Sequence, residues 1–590
     1  MIQRRNVFCL GAMLLFSACS DNASQVGDGG TTSGDGGPDV PVALGGNGVA
    51  GNGGGGGATG GATVADPQGS FTLGAPRQGT DWNADPKTGA GAPQIVYPSN
   101  QTRFPRNIYR TLFQWKATGN SEYRLIFTGP GTTVTVFTDG VHPLCAGKAG
   151  TACWEADESS WHLIADGNAG RTVSWIVDGL DTSGAAAVVK RSDAVTLGFS
   201  LKKVEGAIFY WSTTSAGIRR ANVSAAEPEN YIAGKPATTY ASPTDSVKCV
   251  ACHVVSRDGK FMLAPVQAAS GGGLWIMEVT RAAPPTPLVK NVANTGGHGF
   301  ATISPDNENV VAAWGGKMWM LDRVTGTKKM DLPLGATLAT HPDWSPNGTQ
   351  VVFSTGKGDS PAAASLAVIP FMNGAWGAVK VLLAATATTK PVKGMPPPPG
   401  GSNLFPMHSP DSQWIAFSRG KGGHGDLSAQ LWVMPSAGGA PIELVNANRV
   451  VSNAMGDGLT ENSQPTWAPS GDLLWVAFNS QREYGVVSPA GRQQIWVAAI
   501  DPEKLGTNED PSFPAFRLQF QGLNEDNHRA FWTLDVRDPP TTPPPPTPDA
   551  GMCVTADQKC DPVADTCCDS TLRCDSVDDG ATYTCMRIVL

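Results

Sequence analysis

Five stretches of the chain repeat one order of apolar and polar positions. Each has a short apolar run, a polar turn of the form Ser-x-Asp/Asn-Gly or a variant of it, and a longer apolar run. They read HVVSRDGKFMLAP (253–265), ATISPDNENVVAAW (301–314), PDWSPNGTQVVFS (342–354), PMHSPDSQWIAFS (406–418) and PTWAPSGDLLWVAF (465–478). Aligned on the turn position, they are spaced by 48, 41, 64 and 59 residues. In four of the five a further apolar run carries a tryptophan: Leu274-Trp275-Ile276, Met318-Trp319-Met320, Leu431-Trp432-Val433 and Ile495-Trp496-Val497. The equivalent Leu366-Ala367-Val368 lacks it. This period predicts one unit of three or four antiparallel strands per repeat, with strand alternation supplying a core between neighbouring units. The Asp/Asn-Gly pair permits the tight hairpin.

Residues 66–194 are patterned differently. Short runs alternate or stay apolar: Ile95-Val96-Tyr97, Leu112-Phe113-Gln114-Trp115, Tyr123-Arg124-Leu125-Ile126-Phe127, Thr133-Val134-Thr135-Val136-Phe137 and Val173-Ser174-Trp175-Ile176-Val177. Gly, Asn, Pro and Asp turns separate them. Such a segment predicts a β-sandwich-like domain, similar in fold class to fibronectin or immunoglobulin domains. Its expected role is that of a spacer or a binding module.

The repeats resemble those of the TolB-like β-propellers, over residues 195–537. Two turns depart from Ser-Pro-Asp-Gly: Asn307 replaces the glycine in one and Ala468 the serine in another. Strands around Val195–Leu201, Ala207–Thr213 and Gly217–Val223 are expected in a further blade. The stretch from His528 to Leu534 is expected to supply its missing strand and close the ring. The resemblance implies an all-β chain with a six-bladed propeller, seven blades being the alternative.

The two ends of the chain are low in core-forming residues. Arg4 and Arg5 precede an apolar run from Val7 to Ala18, too short to span a bilayer. It ends Phe16-Ser17-Ala18-Cys19, which resembles a bacterial lipobox. Residues 1–18 then form a lipoprotein signal peptide and Cys19 carries the lipid. Arg4-Arg5-Asn6-Val7-Phe8 also fits a loose twin-arginine pattern. Residues 19–65 form a Gly-rich tether with a reach of roughly 40 Å. Residues 538–550 form a Pro-rich linker, extended and semi-rigid. The module 551–590 holds Cys553, Cys560, Cys567, Cys568, Cys574 and Cys585, with six, six, zero, five and ten residues between them. Spacing alone leaves 15 pairings open. The adjacent pair resembles cystine-knot miniproteins, and that resemblance implies Cys553–Cys568, Cys560–Cys574 and Cys567–Cys585. Cys145 and Cys153, close together in a loop, are expected to form a local disulfide. Of the chain's 12 cysteines, Cys9 leaves with the signal, and the exported compartment favours bonded or cofactor-linked thiols.

Composition removes some classes. The net charge is −8, with 71 Gly, 46 Pro and 16% charged residues. Lys and Arg form no basic stripe, so no nucleic-acid partner is expected. The chain contains no H-E-x-x-H, G-x-S-x-G, P-loop or EF-hand motif.

The remaining chemistry centres on Cys249-Val250-Ala251-Cys252-His253. This run resembles the attachment signature of c-type haem. Cys249 and Cys252 would bond the vinyl groups and His253 would be the proximal ligand. The alternatives are a Cys249–Cys252 disulfide, and a zinc or copper site on the same groups. His253, His298, His341, Met407 and His408 all fall within six residues before a blade turn, where inner strands approach a channel mouth. His298, His341, Met407 and His408 are therefore candidates for the distal position, which otherwise stays open. His528 joins the group if its strand closes the ring. Three functions fit: an outer-membrane or cell-surface lipoprotein whose propeller binds a protein or glycan and carries haem c, a haem-redox or electron-transfer protein, and a haem-free surface scaffold.

Overall fold

A computed structural model describes residues 66–534 apart from 84, 185, 223–226, 242–244, 293–298, 387–400, 424, 450–459, 470 and 508, together with 559–560, 572–576 and 583–587. The expected signal sequence, Cys19, tether, Pro-rich linker, His298, Cys553, Cys567 and Cys568 lie outside the described residues.

The N-terminal unit packs two sheets face to face. One is mixed, in the order Gly69–Leu73, Thr132–Thr138, Tyr123–Thr128, Thr172–Asp181, Val195–Phe199, Thr102–Phe104, with Val188–Arg191 also on Thr172–Asp181. The other is Gln94–Tyr97, Leu112–Lys116, Thr151–Glu155. The strands alternate buried and less buried positions, as in Thr132–Thr138, because one face meets the core. Phe113 lies 5.0 Å from both Phe127 and Trp175 in edge contacts. A disulfide joins Cys145 and Cys153.

Six further sheets follow, each a meander of four or five strands. Their first strands are Val247–Val250 with Val254–Val255, Phe300–Ile303, Ala339–Trp344, Ser402–His408 and Ser463–Trp467, with Asn527–Thr533 serving the sheet of Ala207–Ser212, Gly217–Asn222 and Glu229–Ile232. Each of these inner strands contacts the next, and Asn527–Thr533 contacts both Ser463–Trp467 and Val254–Val255. The contacts run full circle around an axis. This is a β-propeller, in which second strands such as Val310 to Ala313 are buried because sheets cover both of their faces. The four repeat tryptophans occupy the third strands.

The turn chemistry explains the repeat. Ser256 Oγ donates to Asp258 Oδ1 at 2.7 Å and accepts from Phe261 N at 2.9 Å. Ser345 makes the same two bonds with Asn347 and Gln350. The fourth turn position is left-handed: Gly259 at φ 76°, Gly348 at 73° and Asn307 at 60°. Asn replaces Gly there because it tolerates that region better than other side chains.

One expected blade strand belongs elsewhere. Val195–Phe199 pairs with Thr172–Asp181 and with Thr102–Phe104, in the N-terminal mixed sheet. Its apolar side chains are drawn to that core, where Phe199 meets Trp161 at 5.6 Å. The ring of sheets therefore begins at Ala207, not 195. The sandwich also shares its core with the sixth sheet of the ring. Tyr97 packs on Tyr484 at 4.8 Å, Phe104 on Phe516 at 4.6 Å, and Tyr97 Oη accepts from Arg517 N at 3.1 Å. In the C-terminal module, Leu572–Ser576 pairs with Tyr583–Arg587, and Cys560 is bonded to Cys574.

Because Asn527–Thr533 completes the first sheet, a chain ending at Glu525 is expected to lose its single cooperative thermal transition. A chain ending at Pro543 is expected to keep it. Calorimetry of the two truncations reads the difference, and equal transitions would show that ring closure contributes little.

Candidate functional site

The same place on five of the six inner strands, four residues before the turn, carries an unusual backbone. Cys252, His341, Phe405 and Gln464 hold φ of 48°, 52°, 53° and 54°, and Arg529 at the matching place on the closing strand holds 45°. The sixth ring position is Phe300, preceded by Gly299. Left-handed non-glycine residues are uncommon and cost about 1–3 kcal/mol each. Here each accompanies a break in pairing: the register shifts between Thr340 and Asp343, Leu404 and Met407, and Ser463 and Thr466. The break is a β-bulge, which re-aims the side chain. Aromatic and charged groups consequently meet on the axis.

His341 packs between Phe300 at 4.3 Å and Phe405 at 4.0 Å. The Arg529 guanidinium stands 5.1 Å from the rings of both Phe300 and Phe531. Its Nε donates to the His253 carbonyl at 3.2 Å, and it has no ion-pair partner among the described residues. Burial lowers the Arg529 pKa, opposed by the Cys252 and Asp343 side chains. Cys252 is a free thiol. Burial pushes it up to about 11, with Arg529 pulling the other way, so it stays protonated. A small chamber lies against these groups, lined by His341, Asp343, Phe405, Met407, Arg529 and Phe531 among others.

On the turn side an arginine crosses the channel. Arg257 follows the turn serine of the second sheet. Its Nη2 lies 3.0 Å from both oxygens of Asp343 in the fourth sheet, and its Nη1 donates to the His408 carbonyl of the fifth at 3.2 Å. Asp343 Oδ2 also accepts from His408 N at 2.7 Å and lies 2.9 Å from His408 Nδ1. Burial acts to raise the Asp343 carboxyl, but Arg257 and His408 outweigh it and hold the pKa below the usual value.

The haem-like motif is spread over different environments. Cys249 lies in Val247–Val250, 4% exposed and disulfide-bonded, though not to Cys252, whose thiol is free. Cys252 joins the channel ring. His253, fully buried, turns to Phe531 at 5.3 Å. Neither of its ring nitrogens makes a well-formed hydrogen bond among the described residues. Its neighbour Val254, not His253, lines the chamber. No group of three His, Cys, Asp or Glu residues able to hold a metal ion occurs among the described residues.

Of the other candidates, His341 and Met407 line the chamber, while His408 stands behind it on Asp343. His528 packs on Trp211 at 5.1 Å and faces Asp526, with Nε2 to Oδ2 at 3.3 Å. Sequence reasoning missed Arg529 and Arg257. Setting 527–533 under the other inner strands places Arg529 four residues before Thr533, in line with His341 and Cys252. That alignment was the available signal.

No family model matches this chain, and no curated protein matches it. Solved structures do. The chain is similar to a TolB of Agrobacterium tumefaciens, with 16% identity over 54% of this chain and 89% of that one, at a TM-score of 0.31. It is similar to TolB of Acinetobacter baumannii, with 14% identity, 62% and 80% coverage and a TM-score of 0.34. It is also similar to the β-propeller domain of Cps50 (Swd1) from Myceliophteria thermophila, with 11% identity, 46% and 70% coverage and a TM-score of 0.27.

Three histidines are buried in or beside the channel, and all are held neutral. Burial drives His253 down to about 3, helped by Arg529 and opposed by the Phe209 backbone. Burial then Arg529 lower His341, and burial outweighs Asp343 to lower His408. Each folded pKa lies below the unfolded value of about 6.5, so the unfolded chain binds more protons as pH falls. Stability is expected to be level above about pH 7 and to drop below about 6.5, by about 1.4 kcal/mol per pH unit for His253 and for His341, with a smaller part from His408. Denaturant melts from pH 8 to 4.5 check this, and His253→Phe should make the slope shallower by about one proton. An unchanged slope in that variant would remove His253 from the account.

Proposed function

We propose that this chain is an exported, lipid-anchored protein of the outer membrane or cell surface. Its six-bladed, TolB-like propeller is a scaffold that binds a protein or glycan partner at the channel ring. The observation that carries this reading is the ring itself. Five left-handed residues are held at matching places on five inner strands, at a conformational cost, and three of them, His341, Phe405 and Arg529, line one chamber. Packing alone is served by glycine or small apolar residues at such places. Backbone strain concentrated on one ring of side chains is more often associated with binding.

The anchor rests on the order of charge, apolar run, small residues and Cys19. Substituting Cys19→Ser is expected to move the protein from the membrane to the soluble fraction, or to leave its precursor uncut. Unchanged fractionation would overturn the anchor. For the scaffold, cross-linking in the native envelope is expected to yield a partner set that Met407→Trp, which fills the chamber, loses. Met330→Ala, on an exposed outer strand, should retain it. Equal capture by both variants would overturn the ring as the binding site.

A second reading keeps haem c on Cys249 and Cys252 with His253 as proximal ligand. It is favoured by the C-x-x-C-H run and by an imidazole buried without a well-formed hydrogen bond. The sixth position would fall to His298, His341, Met407 or His408, or stay open. The group would supply one-electron chemistry. It requires His253 to leave Phe531 and Cys249 to leave its disulfide. A pyridine haemochrome assay on protein made in a host with c-type maturation decides it. A colourless, folded product would leave the haem-free scaffold.

A further inference from the structure

We propose that the channel ring is a carboxylate-binding site, in which Arg529 supplies the charge and His341 a second donor. The inference deepens the scaffold reading above and rests on its choice of the ring as the binding site. Three observations lead to it. First, the Arg529 guanidinium is fixed before any ligand arrives. Phe300 and Phe531 flank it, and its Nε is tied to the His253 carbonyl. Nη1 and Nη2 make no hydrogen bond among the described residues, and they are the atoms that form a two-pronged contact with a carboxylate.

Second, His341 is 2% exposed and lines the chamber with an unsatisfied Nε2. Its Nδ1 accepts from Phe405 N at 3.4 Å. A neutral imidazole accepting at Nδ1 carries its proton on Nε2. That nitrogen is therefore a donor whose contact in the free protein is the Asp359 backbone, at poor geometry, and an incoming carboxylate competes with that contact.

Third, the charge is one-sided. The other channel arginine, Arg257, is already matched by Asp343. Asp343 also lines the chamber and acts on Arg529, but it is shared with Arg257. Two arginines face one carboxylate, which leaves one net positive charge beside Phe405, Phe531 and Met407, where low polarity strengthens the pull on an anion. The chamber is small, with room for about one water. A carboxylate group fits that scale, whereas a bulky ligand does not.

The carboxylate can arrive as a free small acid or as the end of a peptide, and the experiment separates the two. Thermal unfolding of the full chain is followed while sodium acetate replaces sodium chloride at constant ionic strength. A parallel titration uses a short Gly-Ser peptide with a free C-terminus and its C-terminal amide. The expected result is a concentration-dependent rise in Tm with acetate, or with the free-acid peptide and not the amide. Acetate activity points to a free acid, and activity of the peptide alone to a partner's terminus. Arg529→Gln is expected to weaken the response at least about tenfold, and Arg529→Lys to restore part of it. Should Arg529→Gln not fold, His341→Gln carries the test with a weakening of about threefold or more.

A response equal for acetate and chloride, or equal for acid and amide with no acetate effect, would overturn the proposal. So would a response unchanged in Arg529→Gln and His341→Gln. If partner capture is lost in Met407→Trp while no carboxylate responds, the ring stays the binding site and only its chemistry is wrong. If carboxylates bind but capture is unaffected, the scaffold reading falls and the site stands.

Discussion

Seven residues near the end of the propeller, Asn527–Thr533, hydrogen-bond to Ala207–Ser212 near its start, and this pairing turns a row of sheets into a ring. Closing a loop of that length costs on the order of 5 kcal/mol in chain entropy. Burial of Phe531 and Trp532 offsets it, at about 2–3 kcal/mol each. The balance is close, so the ladder hydrogen bonds and the contacts of Trp532 with the Glu205 carbonyl and of Thr533 with Ser256 decide it. The same strand carries Arg529 to the axis. Closure and the charge in the channel are therefore one event, and an open ring has no channel site.

The ring position four residues before each turn shows how a repeat built for packing acquires chemistry. Ser256, Ser304, Ser345 and Ser409 tie four of the hairpins in the same way. On five of the six strands a left-handed residue marks the place four before the turn, and Phe300 holds it on the sixth without a register shift. What differs is identity alone: a thiol, two phenylalanines, an imidazole, an amide and a guanidinium. The aromatic members hold the polar ones in place, as His341 between Phe300 and Phe405 shows.

Much of this was readable in the chain before its structure. The turn serines, the strands after them and the third-strand tryptophans follow from local pattern, and the strand 527–533 could be foreseen as a partner for 207–212. Val195–Phe199 could not be assigned from pattern, because an apolar strand carries no mark of which of two adjacent cores it joins. The histidine zone was half readable. Counting back from the turn brings His341 and Met407 to the chamber, but side chains on a strand alternate, so His253 and His408 face away from it. The C-x-x-C-H run gave a spacing without a direction: Cys249 is in a disulfide, Cys252 is a free thiol and His253 packs on Phe531. Arg529 escaped because its strand has no serine turn to align on.

Arg257 has an effect on how the molecule moves. Stacked repeats that touch only their neighbours can open at one end and fray inward. Here a side chain from the second sheet is anchored in the fourth and fifth, across the diameter. No one of those sheets can swing outward without breaking a bond to Arg257. Slow amide exchange in the three should therefore rise and fall together, with the propeller behaving as a single foldon spoked through its centre, not as a row of hinged blades.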